Sequence, residues 1–252
     1  MDSIRIQYMS DLHLEMFPGF RINKVNAEYL VLAGDIGDPE SVEYSEFIAD
    51  CTTKFKHVFV ILGNHEAYGK PSWAYTQQVA RKIVESKGAI FLDNDTVDLI
   101  DGKLRIIGTT LWSNVHGPGA NDVRTFIADY RRIGGMKCVA DSNEMHDLDV
   151  AWLRAELALS DVPTIVVTHH APSLYKTSHP KNESSSLNSA FATDLLYMMK
   201  RPVVAWIFGH THFSGSQTVG DNVVLMSNQR GYADNPSETD MFNEGKVISI
   251  PI

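Results

Sequence analysis

An α/β fold with a mixed sheet is predicted by the order of apolar runs along the chain. Short runs rich in Val and Ile recur, and several are apolar almost throughout, as in YLVLAG and HVFVILG. This pattern is typical of strands that are covered on both faces. Helix-like stretches separate most of these runs, and such alternation indicates an α/β domain. In the second half of the chain more strands follow one another directly, which favours a mixed sheet.

The strands are predicted from the apolar runs. Eight runs are predicted as strands, at 4–9, 29–33, 58–62, 104–109, 164–168, 203–208, 223–226 and 246–252. Each is rich in Val and Ile, and most are as short as strands in α/β proteins usually are.

Four helices are predicted between the strands, at 38–55, 71–88, 144–161 and 187–202. Asp38 is an expected N-cap of the first helix, with Pro39 in its first turn. Gly88 and Pro202 are the expected ends of the second and fourth helices.

Two long polar loops remain, at 113–143 and 170–189. Loops of that length are often functional lids or pocket walls. The sequence alone does not assign them a role.

Composition limits the class of protein. The chain has 252 residues and a formal net charge of −9, and we interpret residues 1–252 as one domain. The acidic balance and the lack of a basic stripe argue against long nucleic acid as the main partner. Bound divalent metals would reverse the local field, so a nucleotide substrate remains open.

Cysteine usage and hydropathy predict the compartment. The two cysteines, Cys51 and Cys138, show no CxxC spacing, which fits a reducing environment. The N-terminus has no apolar segment of signal-peptide length, and no apolar run approaches the ~20 residues that span a bilayer. We therefore predict a cytoplasmic protein with no membrane partner.

Polar residues of metal-ligand type follow five of the predicted strands. In α/β sheets, ligands bind beyond the carboxyl ends of the strands. Six of the ten histidines fall in these endings, and imidazole, carboxylate and amide groups are all metal ligands. The sequence therefore predicts a metal site at one edge of the sheet. The endings hold Asp11 and His13, Asp35, Asn64 and His65, His169 and His170, and His210 and His212.

These endings form five ordered blocks: DLH (11–13), GDIGD (34–38), GNHE (63–66), THHAP (168–172) and GHTH (209–212). Together they resemble the calcineurin-like metallophosphoesterase superfamily, specifically its small, single-domain bacterial type. The resemblance implies a four-layer α/β/β/α sandwich of two mixed sheets, with metals at one edge.

The resemblance also implies a ligand set for two divalent transition-metal ions. The first ion would take Asp11, His13, Asp35 and His212. The second would take Asn64, His169 and His210, with Asp35 bridging both ions. A shared anion is physically reasonable because it offsets the repulsion between two close cations. Mn²⁺ is the favoured metal, while Fe, Zn and Ni also suit these ligands.

By the same resemblance, a metal-bridging hydroxide would attack phosphorus in line, and His65 would protonate the leaving oxygen as general acid. Asp38 is the candidate to orient His65, although it could equally be only a helix cap. The sequence continues with Pro39 where phosphoprotein phosphatases of the superfamily have an arginine, which disfavours a phosphoprotein substrate.

Three further residues are candidates for substrate contact. His170 is expected to line the pocket, His116 lies on a long loop that could reach it, and Arg230 could bind phosphate. A surface position or a salt bridge is the alternative for His116 and Arg230. Glu66 is expected to be a structural hydrogen-bond acceptor.

The predicted function is a dinuclear metal-dependent phosphoesterase acting on a small phosphodiester or nucleotide. A phosphomonoesterase or a nuclease of the same superfamily is the alternative. A catalytically silent interaction scaffold is a different class, but such proteins typically lose metal ligands or the catalytic histidine, and this sequence retains them.

Overall fold

Two mixed β-sheets form the centre of the protein, seen in a computed structural model that describes residues 3–251. The strands are β1 Ser3–Met9, β2 Tyr29–Ala33, β3 His57–Ile61, β4 Ile90–Phe91, β5 Asp95–Leu99, β6 Leu104–Thr109, β7 Thr164–Thr168, β8 Val203–Phe208, β9 Gly215–Val219, β10 Val223–Ser227 and β11 Val247–Pro251.

One sheet has the order β11-β1-β2-β3-β4, and the other has the order β5-β6-β7-β8-β10-β9. In the first sheet only β11 is antiparallel to its neighbour. In the second, β5 and β9 are antiparallel edge strands around a parallel centre. Both sheets are therefore mixed, as the sequence predicts.

The helices are α1 Val42–Lys54, α2 Trp73–Ser86, α3 Ala120–Phe126, α4 Asp129–Arg132, α5 Val139–Ala158 and α6 Pro236–Thr239. Apolar residues of α1 and α2 pack with the first sheet, and those of α5 pack with the second. A third apolar cluster lies between the sheets and includes Ile6, Val31, Ile61, Ile165 and Ile207. The layers are thus helix, sheet, sheet and helix, which confirms the predicted four-layer sandwich.

All eight predicted strands are present, with ends that differ by one residue at most within the described chain. Three strands carry no clear signal in the sequence and were not predicted. Of these, β4 has only two residues, and β5 and β9 carry polar or half-exposed side chains that break the apolar pattern.

The helix predicted at 187–202 is wrong. Only short 3-10 turns form there, at Asn188–Ala190 and Leu196–Met198. The backbone of Ala171 bonds to the carbonyl of Phe191 and to the amide of Thr193, and this extended pairing interrupts any helix.

The predicted start of the first helix is also wrong. Ser41 is its N-cap, because the Ser41 hydroxyl accepts a hydrogen bond from the amide of Tyr44. The predicted loop 113–143 contains α3, α4 and the start of α5.

Parallel strands from both sheets end at one edge of the sandwich. The strands β1, β2 and β3 of the first sheet, and β7 and β8 of the second, lead directly into the five motif blocks. Within residues 3–251, no helix combines the length and hydropathy needed to cross a membrane. The cytoplasmic location stays a prediction.

Candidate metal centre

The seven predicted ligand residues lie in two adjacent groups at this edge. Group A contains Asp11, His13 and His212, whose ligand atoms lie within 4.8 Å of one another. In group B, Asp35, His169 and His210 satisfy the same criterion. Asn64 belongs to group B because its Oδ1 lies 3.2 Å from His169 Nε2. All but His212 are buried.

Five of these residues have a left-handed backbone conformation, which is uncommon for residues other than glycine. Such conformations persist where the surrounding structure enforces them, and they are frequent at functional sites. Here the strand ends turn sharply and direct the side chains toward a common point. The residues are Asp11 (φ 55°), His13 (φ 50°), Asp35 (φ 53°), His210 (φ 72°) and His212 (φ 50°).

Two glycines are required where these turns meet. A Cβ atom at Gly34 would collide with the ring of His169 and with the backbone nitrogen of Gly63. A Cβ atom at Gly63 would collide with the carboxylate of Asp35. The donors of group B can therefore approach one another only because both positions lack a side chain.

The histidines of group A are each supported by a glutamate. His212 Nδ1 lies 2.6 Å from Glu238 Oε2, and His13 Nδ1 lies 3.2 Å from Glu15 Oε1. When ionised, a carboxylate can only accept, so each Nδ1 donates and each Nε2 keeps its lone pair. The two Nε2 atoms are nevertheless only 3.0 Å apart. Two neutral rings would face each other with lone pairs at that distance, an arrangement that a shared cation, either a proton or a bound metal ion, would stabilise.

In group B, too, the ligand atoms that face one another are mostly hydrogen-bond acceptors. His169 Nδ1 donates to the carbonyl oxygen of Ala33 at 2.9 Å, so in the neutral ring the lone pair is on Nε2. That atom faces Asn64 Oδ1 at 3.2 Å and Asp35 Oδ2 at 3.4 Å. The amide nitrogen of Asn64 donates to Asp129 Oδ1 at 2.8 Å, which directs its oxygen into the group.

Asp35 faces both groups with a single oxygen. Its Oδ2 lies 3.4 Å from His169 Nε2 in group B and 3.9 Å from His13 Nε2 in group A. Nitrogen and oxygen lone pairs therefore converge from both sides of this carboxylate. The residues present fit metal cations, because imidazole, carboxylate and amide oxygen are the ligands that divalent metals use.

Glu66 connects the turns that carry these ligands. Its buried carboxylate accepts hydrogen bonds from the backbone amides of Gly63, Asp35 and Ile36, at 2.8, 3.1 and 2.7 Å. Burial and the nearby charge of Asp35 raise the pKa of Glu66 to about 8. The expected structural role of Glu66 is therefore visible in its contacts.

His65 borders the cleft beside group A. Its Nδ1 lies 3.3 Å from Glu15 Oε1, and its ring packs 4.2 Å from the Tyr68 ring and 4.5 Å from the His13 ring. Burial acts to lower the pKa of His65, but the charges of Asp35 and Glu15 outweigh it and raise that pKa.

The structure does not place Asp38 against His65. The Asp38 carboxylate lies 2.7 Å from Lys70 Nζ and accepts a hydrogen bond from the Glu40 amide at 2.9 Å. No hydrogen bond joins Asp38 to His65 among the described contacts. Glu15 occupies the position that the sequence analysis assigned to Asp38, because it extends from the same turn as His13.

The three predicted substrate contacts all lie outside the cleft wall. His170 is buried, stacks 4.0 Å behind His210 and bonds to Ser113 Oγ. His116 is exposed and borders a separate surface cavity. The Arg230 guanidinium bonds to the Leu12 carbonyl at 3.1 Å and lies over the Phe20 ring. None of these three residues borders the cleft between groups A and B.

The cleft itself has a volume of about 310 Å³. Its apolar walls come from Tyr68, Phe126, Ile127, Phe191 and Tyr232. Four of the seven predicted ligands form its floor: Asp35, Asn64, His210 and His212. No Lys or Arg borders it among the described residues.

Three carboxylates that support the site were missed by the sequence analysis. Glu15 follows His13 by two residues, and this alternation was a readable signal. Glu238 and Asp129 come from loops distant in sequence, and no local pattern marks them. Burial raises the pKa of Asp129, while hydrogen bonds from Tyr68 at 2.6 Å and from Asn64 lower it.

A sequence profile described as calcineurin-like phosphoesterase matches residues 4–214 of this chain. The chain therefore belongs to the calcineurin-like phosphoesterase family, which confirms the resemblance seen in the five motif blocks. Membership in this family supports a phosphoester hydrolase with a metal-binding site.

Two relatives cover nearly the whole chain. An uncharacterized protein of Acanthamoeba polyphaga mimivirus is 29% identical, and the match covers 97% of this chain and 96% of that protein. The crystal structure of phosphopantetheinyl hydrolase from Mycobacterium tuberculosis superposes with a TM-score of 0.69 at 16% identity. That match covers 98% of this chain and 96% of the hydrolase, and at this identity it supports the fold.

Proposed function

We propose that this protein is a dinuclear metal-dependent phosphoesterase that hydrolyses a small phosphodiester or nucleotide. One observation carries the proposal. The Nε2 atoms of His13, His212 and His169 converge with the carboxylates of Asp11 and Asp35 in one space, and a hydrogen-bond acceptor holds the Nδ1 atom of each ring. Cations are the simplest group that satisfies all of these acceptors together.

Groups A and B would each hold one divalent ion, with Mn²⁺ favoured. When bound, such ions supply an activated water and stabilise the charge that develops on the phosphoryl oxygens. Asp35, which faces both groups, would help to hold both ions. The orientation of its carboxylate is fixed in part by the His65 amide, which donates a hydrogen bond to Oδ1 at 2.8 Å.

His65 would act as the general acid. Its ring borders the cleft, and its Nδ1 is occupied by Glu15, so Nε2 is the atom that would deliver a proton to the leaving oxygen. Glu15 would act as the positioning residue. A raised pKa keeps a larger fraction of His65 protonated near neutral pH, as this step requires.

The cleft favours a diester over substrates with more negative charge. Phosphomonoesters carry close to two charges at neutral pH, and sites that bind them commonly use Arg or Lys. Long nucleic acid is also bound mainly through cationic side chains. Asp35, Asp129 and Glu238 border this cleft, and no described Lys or Arg does. Two bound divalent ions would supply the positive charge of the site, and the protein adds no described Lys or Arg contact for the second charge of a monoester, so we favour the singly charged diester.

The test compares two chromogenic substrates. Metal-stripped protein is reconstituted with Mn²⁺, and in parallel with Fe²⁺, Zn²⁺ and Ni²⁺. Turnover is then measured on bis(p-nitrophenyl) phosphate and on p-nitrophenyl phosphate. We expect faster turnover of the diester. Faster turnover of the monoester would favour a phosphomonoesterase, and no turnover of either would favour the silent scaffold.

His65→Gln separates chemistry from metal binding. We expect diester turnover to fall about a hundredfold or more, as for loss of a general acid, with metal content unchanged. Equal turnover of variant and wild type at equal metal content would contradict this role. Because the structural neighbour is named a phosphopantetheinyl hydrolase, a phosphopantetheinyl diester belongs in the substrate screen. Cyclic nucleotides, nucleotide sugars, glycerophosphodiesters and short oligonucleotides complete it.

A further inference from the structure

A second cavity opens directly beside the metal cleft. Its volume is about 190 Å³, which suits part of a small molecule better than a whole ligand. Phe191, Asn182 and Thr211 border both spaces. Thr211 lies between His210 and His212, and the Phe191 ring stacks on the His210 ring at 4.8 Å. One molecule could therefore occupy both spaces, with one end at the metal centre and the other end in this cavity.

The cavity presents hydroxyl and amide groups on an apolar base. Leu187 and Phe191 form the apolar part. The polar part is formed by Ser178, Asn182, Ser185, Asn188 and Thr211. Most of these residues belong to the segment 170–189, so this segment supplies the wall of a pocket.

Ser178 is the residue in this wall that lacks a partner. It is only 4% exposed, and its Oγ has no hydrogen-bond partner among the described residues. A buried hydroxyl without a partner is costly, and it gains most from a ligand that satisfies it. Because Ser178 borders the cavity, a ligand there with hydrogen-bonding atoms is a group that would satisfy this hydroxyl.

Charge narrows the chemistry of that ligand. No Asp, Glu, Lys or Arg borders the cavity among the described residues. A charged group entering here would lose its hydration and find no opposite charge. An uncharged group with hydrogen-bonding atoms on an apolar body would keep its hydrogen bonds and bury apolar surface against Leu187 and Phe191.

We propose that this cavity binds the ester group next to the scissile phosphate, and that this group is an uncharged chain or ring that carries amide or hydroxyl functions. The inference rests on the proposed phosphoesterase function and names the substrate class more closely. Ser178 and Asn188 are then specificity-determining residues, since both border the cavity and neither borders the metal cleft.

The test uses p-nitrophenyl phosphodiesters that differ only in the second ester group. That group is methyl, N-acetylaminopropyl, thymidine-5′-yl, or a carboxyalkyl chain as long as the amide chain. All four release the same phenol, so the ratio of kcat/KM for a given ester to that for the methyl ester reports on the second group alone. We expect Mn²⁺-loaded wild type to prefer both neutral groups over methyl, and to disfavour the carboxyalkyl chain.

Two variants locate this preference. Ser178→Ala removes the unpartnered hydroxyl, and Asn188→Leu removes an amide of similar size. We expect each to lower the ratio of the neutral ester to the methyl ester about three- to tenfold, as for loss of one hydrogen bond. Ser184→Ala is the matched control, because Ser184 is an exposed serine of the same segment outside the cavity. It should leave the ratio as in wild type.

The outcomes distinguish this inference from the function on which it rests. If wild type hydrolyses the methyl ester but prefers neither neutral ester, or if both variants keep the wild-type ratio, the cavity is not the binding site and the phosphoesterase function stands. If the metal-loaded protein hydrolyses none of the four esters, the proposed function fails and this inference fails with it.

Discussion

Groups A and B hold similar donors but differ in what supports them. In group A, the histidines rest on Glu15 and Glu238, whose side chains are 23% and 20% exposed. In group B, His169 is fixed by the carbonyl of Ala33, and Asn64 is fixed by Asp129, which is 5% exposed. The support of group A therefore comes from carboxylates in contact with solvent, and that of group B comes from the interior of the protein.

This difference separates a rigid site from a more labile one. Groups supported by backbone and buried side chains move little, since the packed interior resists displacement. Solvent competes with the hydrogen bonds of partly exposed carboxylates, so those contacts hold their histidines less firmly. We expect an ion in group B to exchange slowly and an ion in group A to exchange more readily.

The largest effect on metal binding and turnover is expected at Asp35, because this residue faces both groups and does not belong to one of them alone. Asp35→Asn removes the charge shared by the two sites. We expect loss of both ions and a fall in diester turnover of about a thousandfold or more, because several kcal/mol of stabilisation by the metals disappear. Metal content after dialysis and steady-state kinetics would measure this.

Asp38→Asn is the matched control for Asp35→Asn. Asp38 contacts Lys70 and no donor of either group, so its variant should keep both ions. Retention of two ions by Asp35→Asn would show that the two groups do not share this carboxylate.

The second prediction concerns group B alone. Asp129→Asn disturbs the hydrogen bond that directs the Asn64 oxygen toward His169. Loss of such a supporting contact typically weakens metal binding about 10- to 100-fold. We expect a metal titration to show one weakened site and one site as in wild type.

Tyr68→Phe is a milder change at the same contact and serves as a comparison for Asp129→Asn. It removes one donor from the Asp129 carboxylate and a longer contact of the Asn64 amide at 3.1 Å, but it leaves the 2.8 Å hydrogen bond from Asn64 to that carboxylate in place. Its effect on metal affinity should therefore be smaller. Equal weakening of both sites in Asp129→Asn would argue against two independently supported groups.

The third prediction concerns group A. Glu238→Gln replaces the carboxylate that accepts from His212 Nδ1 at 2.6 Å, and it preserves the size of the side chain. Glu238 is partly exposed, and a glutamine side chain can still accept a hydrogen bond from His212. We therefore expect metal affinity at group A to fall about tenfold, the lower end of the range for loss of a supporting contact. Faster metal release measured by chelator competition would check this, with Glu244→Gln as the control at a glutamate outside both groups.

The smallest effect on the site is expected at a buried carboxyl outside both groups. Burial raises the pKa of Asp149 to about 6, and its Oδ2 accepts a hydrogen bond from the Leu111 amide. The folded protein then binds this proton more tightly than the unfolded chain. The contribution to stability is present in full below pH ~4, and it is lost as the pH rises through about 6.

Asp149→Asn should remove this pH dependence. Relative to the variant, wild type should gain stability between pH 7 and pH 4, by at most about 3 kcal/mol. Urea unfolding of metal-free protein at several pH values measures the difference. A constant difference across this range would show that Asp149 titrates alike in the folded and unfolded states.

The ligands of both groups can be found from the sequence alone. All seven ligand residues stand directly after apolar strands, in short patterns such as DLH and GHTH, so local spacing is enough to find them. The four-layer order came from the family resemblance, since strand and helix alternation alone gives only a mixed α/β fold. Edge strand β5 was missed because its DTVDL sequence lacks a continuous apolar run.

The supporting carboxylates were harder to find. Asp129 reaches Asn64 across 65 residues, and Glu238 reaches His212 across 26. Contacts of that kind depend on tertiary packing and leave no periodic trace. The error at Asp38 has the same origin, because a motif predicted a partner for His65 that three-dimensional proximity assigns to Glu15.

Glu66 has a practical consequence for protein engineering. Its carboxylate accepts hydrogen bonds from both the turn after β2, which carries Asp35, and the turn after β3, which carries Asn64. The metal ligands can be redesigned for a different metal one side chain at a time, as long as Glu66 keeps these hydrogen bonds. Shortening it to aspartate would free both turns together, and no choice of new ligands could then restore their alignment.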